Sequence, residues 1–314
     1  MTTSRFRLLA LCGVSAALLT GCASGPYQFG RGWHNAQSAM CAPPVENSSL
    51  EIVEGRPNKF VDGLGWVVGI PGKLLLWDRR VNNHHVTEST TVAVAEYVER
   101  NQLQDVCVRV NQYDPGDEWR RLRDNREVGA GWRYTVGAIS VLGYTILPGR
   151  VFGGDRYNPY TNSIYVYSDV PSLGMHAAAY AKDVHRRDLP GTYAAVNELP
   201  LLSIWHETIA TRDALSYLET TADADAQREG NRILQPNYGV RVGGALDSAV
   251  GGGSVLQIGG ALIGHVTGRM QEPRERGADA DQDWVTLYEE PDQRPTIQTV
   301  SFESDAAALS EAGR

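Results

Sequence analysis

The last 44 residues set the first limit on what this chain can fold into. From Gln271 to Arg314 there are eleven acidic and four basic residues, so the stretch carries -7 of the chain's formal -8. It is rich in Asp, Glu, Ala, Gln and Pro and holds no sustained periodicity. Such a segment buries too little apolar surface to offset the entropy of ordering it. The composition predicts a mostly disordered acidic tail over 271–314, with DWVTLYEE and TIQTVSFE as short strands or docking pieces. What remains is close to neutral and has no basic stripe, which argues against nucleic acid as a partner.

The other end is also set apart. Arg5 and Arg7 precede the apolar run LLALCGVSAALLTGC, which is too short to span a bilayer stably. The run closes on Leu19-Thr20-Gly21-Cys22, which resembles the lipobox of bacterial lipoproteins. That resemblance implies a signal peptide over 1–21 that is removed, and a Cys22 that is diacylated on sulfur and acylated on its new amino group with palmitate-like chains. Each buried methylene adds about 0.8 kcal/mol, so several chains on one residue make a stable anchor. It also implies a cell-envelope protein attached to a membrane at its periplasmic face. Ala23, in place of an inner-membrane retention aspartate, favours the outer membrane. Residues 22–49, dense in Gly, Ser, Asn and Pro, read as a lipidated tether. With Cys12 removed and Cys22 lipidated, Cys41 and Cys107 are left. In an oxidising envelope they can form a disulfide, or Cys107 can stay a buried free thiol within VCVRV. Two isolated cysteines do not make a zinc-finger pattern.

Residues 50–270 are therefore the candidate domain, without a repeat of solenoid or propeller period. A short helix is expected around Pro71–Trp77. A second begins at Thr87, with Val92, Val94, Ala95 and Val98 on its apolar face. DVCVRVNQY alternates like a half-buried strand, and DPGDEWRRLRDN has the charge order of a helix. GWRYTVGAISVLGYTILPGR is rich in β-branched and aromatic residues and predicts a strand pair. A strand over Ser163–Tyr167 then leads to a helix capped by Asp169 ahead of Pro171. LPLLSIWHETIATRDALSYLETTADADAQR predicts one long helix. This pattern is α+β or α/β. His84 and His85 are adjacent and read as loop or surface residues. Gly252, Gly260 and Gly264 recur at spacings that permit close helix contact, giving a buried or membrane-facing packed segment over 239–268. Its many glycines keep its hydrophobicity below that of a transmembrane helix. Gly251-Gly252-Gly253-Ser254 lacks a following P-loop lysine, and there is neither a Gly-x-Ser-x-Gly elbow nor a flanked nucleophilic cysteine.

The order strand, tight connection, helix with histidine, loop, helix with glutamate over Tyr157–Leu218 resembles the zincins, in gluzincin style. YNPYTNSIYVYSD, KLLLWDRRVNNHHV and VRVNQYDP are similar to an uncharacterised group of envelope proteins related to these metallopeptidases. The resemblance implies an α+β fold, a zincin-like helical core with a small mixed sheet. It aligns His176 with the first zinc ligand and Glu207 with the distal glutamate. Ala177 then stands at the general-base position and Tyr180 at that of the second histidine. Alanine takes no proton and neutral tyrosine is a poor zinc ligand, so ordinary zincin hydrolysis is not expected. One alternative is a metal site of His176, Asp183 and Glu207, since Asp183 lies seven residues on, near the same helix face. His185 falls on the opposite side, and His206 points about 100° from Glu207 on its own helix. The other reading is a polar His176–Glu207 pair with Tyr180 filling the vacated volume. The expected function is a lipid-anchored, catalytically inactive domain that is structural or binds an envelope protein, without a cofactor. A hydrolase with zinc in the non-standard site is the alternative.

Overall fold

In the computed structural model, residues 27–30, 34–35 and 50–273 are described, apart from 104, 222 and 252. In chain order the strands are β1 (Gln28–Phe29), β2 (His34–Asn35), β3 (Glu51–Glu54), β4 (Cys107–Val110), β5 (Arg156–Asn158) and β6 (Ser163–Val166). The helices are α1 (Lys59–Val68), α2 (Ile70–Leu76), α3 (Glu88–Arg100), α4 (Pro115–Asp124), α5 (Ala130–Trp132), α6 (Ala138–Ile146) and α7 (Gly149–Phe152). They continue with α8 (Pro171–His185), α9 (Pro190–Asn197), α10 (Pro200–Thr220), α11 (Ala224–Val250) and α12 (Val255–Met270). A π-helical turn, Arg133–Gly137, joins α5 to α6. Helix dominates, around one small mixed sheet, and the class is α+β.

The sheet has the order β3-β4-β6-β5. The first two pairings are parallel and β5 runs antiparallel to β6. Parallel neighbours need helical crossovers, supplied here by α1–α3 and α4–α7. Strand β4 is buried along its whole length, not half-buried as its alternation suggests. Both faces are covered, and they differ in chemistry. Val108 and Val110 join the main core with Ile52, Ile164 and Val166. Arg109, on the other face, is fully buried with its Nε 2.6 Å from Glu118 Oε1, and Tyr165 donates to the same carboxylate at 2.6 Å. The polar residue of the alternation faces an ion pair rather than water.

The expected strand pair at 131–150 is helical instead. Val141 and Tyr144 are buried one turn apart, and Gly137 lies so close to Leu122 that a Cβ there would stand 2.8 Å from Leu122 Cδ1. Packing against α4 overrides β-propensity. The helix foreseen from Thr87 is α3, but Thr87 makes no side-chain cap bond to it. Asp169 also does not cap its own helix: Val170 is the N-cap of α8. The Asp169 carboxylate accepts instead from Thr87 N at 2.9 Å, Thr87 Oγ1 at 2.6 Å and Thr90 Oγ1 at 2.7 Å. It therefore ties the starts of α3 and α8 together. The single long helix expected from Pro200 is two, because Asp223 begins α11 by accepting from Asp225 N and Ala226 N.

Two further expectations change. His84 is buried in a left-handed turn at φ 54°, tilted against Tyr167, so only His85 fits the surface reading. Burial pushes the His84 imidazole down to about 4. Within the stretch read as a tether, Tyr27–Gly30 is docked. Tyr27 is buried in the main core, its hydroxyl donating to Asn101 Oδ1 at 2.9 Å, and Lys182 Nζ donates to Gln28 O at 2.6 Å. The glycine-rich segment forms a hairpin of α11 and α12 with backbones in contact. A Cβ on Gly239 or on Gly260 would stand 2.0 Å from the other's carbonyl oxygen. No described helix is long and apolar enough to cross a membrane. Cys22, Cys41, Gly252 and all but the start of the 271–314 tail lie outside the described residues.

Candidate binding cleft at the His176–Glu207 pair

Helix α8 is almost wholly buried, and its Ala177-Ala178-Ala179 run lets neighbouring elements approach closely. Helix α10 packs beside it in the same direction, because residues six apart on one meet residues six apart on the other. His176 Nε2 lies 3.2 Å from Glu207 Oε2, and Lys182 Nζ lies 2.7 Å from Asp213 Oδ1. The first of these contacts lines a cleft of about 670 Å³, together with Ala177, Tyr180, His206 and Arg241.

Glu207 is the focus of the cleft. His176 approaches Oε2, while His206 Nε2 stands 3.3 Å and Arg241 Nη1 3.0 Å from Oε1. Burial alone raises a carboxyl, but here the Arg241 guanidinium and the two imidazoles hold Glu207 well below the usual range. Arg241 donates to this carboxylate and the two imidazoles stand within ion-pair distance, so groups from three helices converge on it. His206 does not point away as helical geometry suggests. Its ring stacks on Tyr180 with centroids 4.2 Å apart, and that contact holds the imidazole beside the carboxylate of the next residue. Tyr180 also meets Tyr157 edge to face at 5.7 Å. Tyr180 gives the cleft an aromatic wall, and burial pushes its hydroxyl far up, keeping it neutral.

Asp183 is not brought to this cluster. Seven residues return a helix nearly to the same face but carry the side chain about 10 Å along the axis. There Asp183 receives Arg186 Nε at 3.1 Å, Arg187 Nη2 at 2.6 Å and the Tyr193 hydroxyl. His185 faces elsewhere and pairs with Glu127 at 3.0 Å. Among the described residues no three His, Cys, Asp or Glu side chains are grouped to hold a metal ion. A zinc held in zincin style does not fit these residues: one turn from His176 stands Tyr180 rather than a second histidine, Ala177 beside it offers no base, and the Arg241 guanidinium takes one oxygen of Glu207. Cys107 is sealed in β4, and burial pushes its thiol up to about 12, so it is no nucleophile.

The sequence reading missed Arg241 and Asn237, which reach the cleft from α11. A lone arginine within the small-residue run YGVRVGG was the available signal for the first. Asn237 Nδ2 and His206 Nδ1 are buried at the cleft and make no hydrogen bond among the described residues. Asn237 Nδ2 can donate to a ligand's carbonyl or carboxylate oxygen in this cleft. The chain matches no protein-family profile, no curated protein and no solved structure.

Proposed function

We propose that this is a lipid-anchored protein of the bacterial cell envelope, held through Cys22, whose zincin-like helix pair is catalytically inactive and whose cleft binds a segment of an envelope protein partner. The observation that carries this reading is the Glu207 carboxylate, engaged at once by His176, His206 and Arg241 beside an alanine. A glutamate that ligates zinc or acts as the base beside it needs a free oxygen, whereas Arg241 donates to Oε1 here and itself stays partly open to solvent. The unpaired polar atoms of Asn237 and His206 suit the backbone of an extended peptide. The alternative hydrolase through His176, Asp183 and Glu207 loses support because both Asp183 oxygens are engaged elsewhere.

The test has two parts. Protein purified from membranes should carry no stoichiometric zinc and cleave no casein, and zinc that disappears in His176→Ala would overturn the reading. The combined variant Ala177→Glu, Tyr180→His and Arg241→Gln should gain zinc affinity, since it restores base and second ligand and releases Glu207. An unchanged affinity counts against descent from a metal site. For binding, a photocrosslinking side chain at Ser203 should capture one polypeptide in membranes, and Arg241→Glu should abolish that adduct. An adduct indifferent to Arg241 removes the cleft from the interaction.

A further inference from the structure

A second cleft, of about 530 Å³, opens at the carboxyl ends of the parallel strands and shares no lining residue with the cleft at Glu207. Glu54 closes β3 and Asn111 follows β4 there. His84 is held just beyond β6, its backbone N–H donating to Tyr167 O at 3.0 Å. Open sheets place their ligands beyond the carboxyl ends of parallel strands. His84 is only 5% exposed, and neither of its ring nitrogens makes a hydrogen bond among the described residues. Asn111 Oδ1 is likewise buried and unbonded among them. Buried polar atoms are rarely left so, and both residues line the same cavity.

Helix α1 forms another wall and carries two glycines with different roles. A Cβ at Gly65 would stand 2.6 Å from His84 Nε2, so this glycine lets the helix and the imidazole meet. A Cβ at Gly63 would meet nothing within 4 Å, although the residue lines the cleft. Glycine is disfavoured inside a helix, and no packing among the described residues asks for it at this position. What it does is leave the cleft open.

The lining groups select the ligand. Burial holds His84 neutral, so its ring has one N–H and one lone pair, while Asn111 Oδ1 accepts. A partner must therefore both donate and accept, which a hydroxyl does and an ionised carboxylate or ammonium group does not. The carboxylates of Glu54 and Asp62 are matched by Lys59 and Arg150, which favours a neutral ligand. Arg150 is in any case bonded to Asp62, through Nε at 2.7 Å and Nη2 at 3.0 Å. Trp66 adds an indole ring, 43% exposed, as a flat surface for C–H groups. An amide also donates and accepts, but a peptide's groups lie along a line. These groups stand around the cavity, on the ends of β3 and β4, on α1 and before α3, and a sugar ring radiates its hydroxyls in that way. We propose that this cleft binds a neutral saccharide, with hydroxyls on His84 and Asn111 and a C–H face against Trp66.

The test is saturation-transfer NMR on the full chain, in a detergent without a sugar headgroup. The probes are glucose, galactose, mannose, N-acetylglucosamine, maltose, cellobiose and lactose. At least one should receive saturation on its ring C–H protons, with a Kd of about 1 mM or tighter. Gly63→Trp fills the open space and should abolish the transfer without moving the melting midpoint, since nothing lies within 4 Å of that position. Trp66→Ala should weaken binding about tenfold. Arg241→Gln, in the other cleft, should leave it unchanged, so the two sites can fail separately. Three results overturn the proposal: no transfer to any of these sugars, transfer indifferent to Gly63→Trp, or transfer to inorganic phosphate or a capped alanine dipeptide in their place. The last gives the cleft to an anion or a peptide.

Discussion

Helices α8 and α10 meet through two acid–base contacts, and the two are built to opposite ends. Lys182 and Asp213 are sealed, with the hydroxyls of Tyr97 and Tyr27 also on the aspartate. Burial pushes Asp213 up and Lys182 down, so each leans toward neutrality and the pair depends on its mutual contact. His176 and Glu207, six residues earlier on each helix, open onto a cleft. There the acid is pulled down by an arginine that reaches solvent. One level of the helix pair fastens the fold and the N-terminal segment. The other keeps a charged group that can exchange partners.

The largest effect is expected at the sealed level. Lys182→Met strands a buried carboxylate and should destabilise by about 3–5 kcal/mol in urea unfolding. It should also free Tyr27–Gly30 for proteolysis. Adding Asp213→Leu should recover much of the loss, whereas no recovery would mean that the tyrosines carry the contact. At the open level, Glu207→Gln should cost about 1–3 kcal/mol. A carboxyl held low when folded contributes stability above its ordinary value of 4.5, and that contribution is lost as pH falls through the lowered value. The wild-type melting midpoint should therefore fall more steeply than that of Glu207→Gln below about pH 4.5. The smallest change is Arg241→Gln, about 0.5–1 kcal/mol, because solvent screens that contact. It should nonetheless let the Glu207 carboxyl rise toward the ordinary range, which carboxyl carbon NMR titration would read. An unmoved titration would assign the depression to the histidines.

Local pattern makes α8 and the start of α10 legible, whereas the meeting of His176 with Glu207 follows from the resemblance alone, since helix α9 lies in the connection between them. The rest depended on contacts no local window contains. Arg241 arrives 34 residues after Glu207, because glycines on α11 and α12 set that hairpin's depth. Asp183 was misplaced because angular phase was weighed without the axial rise. The stretch from Trp132 to Ile146 looked like strands through its valines and aromatics, yet α4 offered a surface that only a helix matches. Tyr27 was lost within a glycine- and proline-rich composition, where one aromatic residue decides whether a segment swings or docks.

The interlocked backbones of Gly239 and Gly260 have a consequence for how the molecule is completed. Helix α12 is the last described element to be synthesised, and at this crossing it seats by main-chain contact, with no side chain there to give a partial grip. Its docking is a latch, closed or open. A chain with Gly260→Leu should fold its sheet and α8–α10 and leave an apolar helix loose at the end, a ready handle for a protease.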